Sequence, residues 1–116
     1  MIPVDIFNID VGVYDSFEAR VEHLRETQSV EDPVSAPHES LAASYMDEAG
    51  DGSMRYTMVL TPRATRGTWV HECVHMADFI MHSVGIPTGY KNTEVRAYLT
   101  AHLFSCIEEE MPCASP

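Results

Sequence analysis

"MRYTMVLTPRATRGTWVHECVHMADFIMHSVG", residues 54 to 85, runs from a strand-like segment through a proline into a helix that carries three histidines. Met54 to Leu60 is rich in β-branched, aromatic and aliphatic residues, and Pro62 ends it. Thr65 or Thr68 can cap the helix, which runs to Ser83 or Val84 before Gly85 and Pro87 stop it. At about 100° per residue, His71, His75, Asp78 and His82 share an arc of roughly 60°, with Trp69, Val70, Cys73, Val74, Met76, Ala77, Ile80 and Met81 opposite. Unpartnered polar groups in a buried helix cost about 1–3 kcal/mol each, so the stripe calls for water in a cleft, polar neighbours or a metal ion.

Working upstream, "MDEAGDGSMRY" places Gly50-Asp51-Gly52 between two strand-like runs, which predicts a β-hairpin ending at Leu60. Ser29 to Ser40, with Pro33, Pro37 and three acids, is a loop. Phe17 to about Gln28 is a helix capped by Asp15 or Ser16, with Glu18 placed for a capping box. Ile2 to Asp15 suggests one or two strands around Gly12, and downstream Asn92 or Thr93 caps a third helix through about Glu109. The expected fold is α+β in one domain, residues 1–116, with a small mixed sheet packed against the histidine helix and a C-terminal helix.

Composition narrows the function. A chain of 116 residues, 45% hydrophobic and 22% charged, has the make-up of a soluble globular protein with one modest core. Eighteen acids against seven bases give a net charge of -11, which argues against nucleic acid and anionic membrane as partners. Met1 to Asp10 has no basic leader region and no run approaches the roughly 20 apolar residues of a membrane span, so a cytoplasmic location is expected. Cys73, Cys106 and Cys113 form no CxxC pair and are expected to be reduced, the first two as small buried hydrophobes and the third exposed in the tail.

His71-Glu72-Cys73-Val74-His75 is an HExxH sequence, whose i, i+4 spacing points two imidazoles at one spot. Glu72, about 100° round the helix, is too far round to ligate the same ion and can instead act as base towards its bound water. His82 lies about 10 Å along the axis from His75 and about 16 Å from His71, so it cannot share their ion. The metzincin pattern is not kept, because Asp78 and Met81 stand where its glycine and third histidine belong. Glu94, opening the third helix, is the candidate third ligand, with His102 in reserve. Asp78 can accept the other N–H of a ligating imidazole. Tyr90, Arg96, Tyr98 and His102 are candidate oxyanion donors, with Tyr98 and His102 also near the expected core side.

"TWVHECVHMADFIMHSVGIP" followed by "NTEVRAYLTAHLF" resembles the small zincin-like metallopeptidases that tailed phages and prophages encode, over about residues 65 to 104. It is also similar to the gluzincins, in which a downstream glutamate completes the site. The resemblance implies Zn²⁺ held by His71, His75 and Glu94, Glu72 as general base and acid, and a peptide or protein substrate. For a phage product the location would be the host cytoplasm or the virion. Tyr98 stands where a thermolysin-like site has aspartate, so the environment of Glu94 departs from that pattern. On this reading the strand Met54–Leu60 offers a free edge to an extended peptide, with Arg55 and Tyr56 lining the cleft. The competing readings are a zinc-stabilised binding protein with a closed structural site, and a metal-free helical domain.

Overall fold

The computed structural model describes residues 1–34 and 40–111. Its elements in chain order are β1 (Ile2–Val4), a 3-10 turn (Asp5–Phe7), β2 (Ile9–Tyr14), α1 (Phe17–Thr27), β3 (Ala42–Glu48), β4 (Met54–Leu60), α2 (Arg66–Ser83), a 3-10 turn (Tyr90–Asn92) and α3 (Thr93–Glu110). The four strands form one mixed sheet in the order β1-β2-β4-β3.

β3 and β4 are the predicted hairpin, paired antiparallel from Ala42↔Leu60 to Glu48↔Met54. Its turn is set by Asp51, whose Oδ1 accepts Ser53 N–H at 2.9 Å, and by Gly52 at φ +85°. β2 runs parallel to β4, from Val11↔Tyr56 to Tyr14↔Val59. β4 is therefore an inner strand with partners on both sides and not the free edge expected; β1 and β3 are the terminal strands of the described sheet. The break between the first two strands falls at Asp5–Asn8, with Asn8 in the left-handed region at φ 55°, rather than at Gly12. Gly12 sits inside β2, where a Cβ would stand 3.2 Å from the ring and hydroxyl of Tyr14.

Strand alternation divides the molecule into three layers. Val11 on β2 and Tyr56, Met58 and Leu60 on β4 face α2 and α3, where they pack with Trp69, Cys73, Met76, Ala77, Ile80, Met81, Leu99, Leu103 and Ile107 in the main core. The opposite face carries Thr57, Tyr45 and Asp47 towards α1, beside a small cluster of Leu24, Val30 and Ala49. Here Arg20 of α1 is almost wholly buried: Nε donates to Thr57 Oγ1 at 2.8 Å, Nη2 pairs with Asp47, and the guanidinium lies 3.5 Å from the centroid of the Tyr45 ring. Asp47 Oδ1 in turn accepts Val34 N–H at 2.7 Å, which ties the loop after α1 to the sheet. Burial lowers the Arg20 pKa, and the charge of Asp47 opposes that shift.

Ser16 caps α1 by accepting from Ala19 N–H at 3.1 Å, so Glu18 lies in the first turn and closes no capping box. Thr65 caps α2 by accepting Thr68 N–H at 3.2 Å. Gly85, at φ +79°, ends α2 in the left-handed conformation that a side chain would resist. Among the described residues no helix is long and apolar enough to cross a membrane.

Candidate metal centre

α2 buries Trp69, Glu72, Cys73, Met76, Ala77, Ile80 and Met81 and turns His71, His75 and His82 to solvent. The histidine stripe expected in a buried helix is thus its outer face, and water satisfies what the core would not. On that face the Nε2 atoms of His71 and His75 stand 3.1 Å apart, with the rings at 78° and their centroids 4.7 Å apart. Two ligands at 2.0–2.1 Å from a tetrahedral ion are separated by about 3.3 Å, so the pair already has the spacing of a chelate.

Glu72 leaves this face and turns towards the sheet, 7% exposed. The Ser44 hydroxyl on β3 lies 2.9 Å from both the Glu72 carbonyl oxygen and its Oε1, and the two acceptors share its one proton. Oε2 is left 4.0 Å from His71 Nε2. Glu72 is thus a buried carboxylate with Oε1 beside the Ser44 hydroxyl and Oε2 on the side of His71. Cys73 is wholly buried in the main core on the other side of the helix, and its thiol is pushed up to about 12 by burial and by the charge of Glu72.

The other expected residues are engaged elsewhere. Asp78 takes a bidentate pair from Arg96, Nε to Oδ1 at 2.8 Å and Nη2 to Oδ2 at 3.0 Å, and among the described residues it hydrogen-bonds no imidazole. The rotation of α3 against α2 follows from its buried Leu99, Leu103 and Ile107, and the clasp lies at the edge of that contact. Glu94, two residues before Arg96, stands about 160° away around the helix and is exposed. His102 Nε2 bonds the Pro3 carbonyl of β1 at 2.7 Å, and Tyr98 stacks on it with the ring planes 12° apart. These two belong to the junction of α3 with the first strand. Among the described residues, no three His, Cys, Asp or Glu side chains are grouped to hold an ion. The structure brings together His71, His75 and Glu72, and leaves Glu94, Asp78, His102 and Tyr98 apart from them.

Arg55 and Tyr56 do not line this region. Tyr56 packs in the core, and Arg55, on the sheet's other face, donates from Nη1 to Ser53 Oγ at 2.5 Å. Of the proposed oxyanion donors, Arg96 is held by Asp78, and Tyr90 projects into solvent at 93% exposure. Cys106 is partly buried and unbridged, and Cys113 lies outside the described residues.

Sequence reasoning missed Ser44, which has no local signal because the hairpin alone brings it under α2. It also missed a groove of about 520 Å³ between α2 and α3, lined mainly by Val70, Val74, Ala97, Ala101 and Phe104. Their i, i+4 spacing on the two helices was the available sign. The chain matches no known protein family, no curated protein and no solved structure.

Proposed function

We propose that the chain is a metal-dependent peptidase of minimal zincin-like design, with His71 and His75 holding Zn²⁺ and Glu72 acting as general base and acid. The observation that carries this reading is the convergence of the two Nε2 atoms at 3.1 Å beside a buried carboxylate whose Oε2 is 4.0 Å from His71 Nε2. The nitrogen donors suit zinc, which when bound polarises a carbonyl and lowers the pKa of its water. His71 and His75 would hold the ion, which would supply the activated water; Glu72 would serve as the proton acceptor and donor at Oε2, with Ser44 orienting the carboxylate through Oε1.

β3 supports the peptide as substrate class. It is a terminal strand of the described sheet and carries Ser44 beside Glu72, and an extended chain could add to a terminal strand by β-pairing. The free thiols of Cys73 and Cys106 accord with a reducing compartment, a cytoplasm or a particle assembled in one.

The pair supplies two of the three protein ligands that a catalytic zinc ordinarily takes. Glu94 contributes the third only if α3 turns out of the clasp between Arg96 and Asp78. The test is Glu72→Gln: zinc content is expected to be unchanged and cleavage of a peptide library lost. Equal cleavage by the two proteins would overturn the reading.

A further inference from the structure

The two histidines form half of a metal site. Asp78 is held by Arg96, His102 by the Pro3 carbonyl, and Glu94 points away from α2. An ion on His71 and His75 therefore has coordination positions that the described part of one chain does not fill. These positions face outward, since the His71 side chain is 66% exposed.

We infer that the same two histidines of a second copy of this chain complete the ion, so that four imidazoles close a zinc site across a two-fold contact between the α2 helices. This rests on the metal-binding part of the proposed function and not on its hydrolytic part. Four nitrogens satisfy the tetrahedral preference of zinc, and a two-fold axis through the ion makes the pair self-complementary.

The surroundings favour the same occupant. Val70, 41% exposed, and Val74 border the His pair and open into the apolar groove with Ala97, Ala101 and Phe104. A second copy on the ion would cover that apolar surface, which a monomer leaves in water. Charge makes the contact conditional. Two copies, each at -11, repel one another, and a divalent cation between neutral imidazoles offsets part of that repulsion at the contact. Association would thus follow metal.

The experiment is a zinc titration of metal-free protein, followed by light scattering for mass and by elemental analysis for zinc content. The expected result is a monomer that doubles its mass with one zinc bound per two chains and returns to monomer with chelator. His75→Ala, at an exposed site, should remain a folded monomer in zinc, while Glu94→Ala should pair like the native chain. A monomer holding one zinc per chain would overturn this inference and leave the proposed function standing, most directly if Glu94→Ala released the ion. Zinc-dependent pairing that survives His75→Ala would also overturn it. Failure to bind zinc at all would remove both readings.

Discussion

Asp78 and Arg96 clasp α2 to α3 through two parallel hydrogen bonds of 2.8 and 3.0 Å. The fork matches the carboxylate and spans the two helices at the rim of the core contact that Leu99, Leu103 and Ile107 make. Two departures from expectation go with this packing: Asp78 is taken by Arg96, and Glu94 is rotated away.

Because this pair is partly exposed, with side chains 46% and 31% accessible, its worth is small. Arg96→Ala should cost no more than about 1 kcal/mol in urea unfolding. A loss above about 2 kcal/mol would show that the clasp is more than a surface ion pair.

The Arg20 and Asp47 pair should behave differently. Both side chains are nearly inaccessible, and removing one leaves the other charged and buried. Asp47→Ala is expected to destabilise the fold by about 3–5 kcal/mol, and the double variant Arg20→Met with Asp47→Leu by less than the sum of its parts. Additive costs would mean that the two groups do not interact.

Ser44→Ala tests how Glu72 is aimed. Loss of the hydroxyl frees Oε1, so peptide hydrolysis should fall about tenfold or more while zinc content is unchanged. Unchanged activity would show that Glu72 needs no anchor.

Cys73 gives the alkaline behaviour its sign. In the folded state its thiol titrates near 12, against 9.0 for the free group. The unfolded chain therefore releases this proton first. Stability from the neutral thiol is complete below about pH 9 and declines as pH rises towards 12, by at most about 1.4 kcal/mol per unit for one proton. Tyr14, also raised by burial, adds to the decline above its ordinary value of 10.0. Urea titrations at pH 8, 10 and 11 should show the loss, and iodoacetamide at pH 8.5 should leave Cys73 unlabelled until the protein unfolds.

Much of this fold is readable from local signals. The hairpin was marked by Gly50-Asp51-Gly52, and α2 and α3 by their caps and apolar spacing. What local signals omit is which strands become neighbours. Nothing near Met54–Leu60 says that β2 will cover its second edge, so a strand that reads as an edge is an inner one. Arg20 was hidden because an arginine reads as solvent-facing, although it shares the helical stripe of Phe17 and Leu24 and its partner lies in β3. At the site, His71, Glu72 and His75 are local and were legible, whereas the position of Glu94 depends on the rotation of a second helix.

The parallel pairing of β2 with β4 also constrains how the chain comes together in time. During synthesis β2 leaves the ribosome well before β4, with α1, a loop and β3 between them. Until β4 arrives, Val11 and Val13 belong to a short apolar ribbon supported only by the three residues of β1. Such a ribbon pairs readily with any other unfinished strand nearby. The nascent chain is therefore most exposed to misassembly while Ile9–Tyr14 waits for the hairpin, an interval that the non-local closure of the sheet makes long.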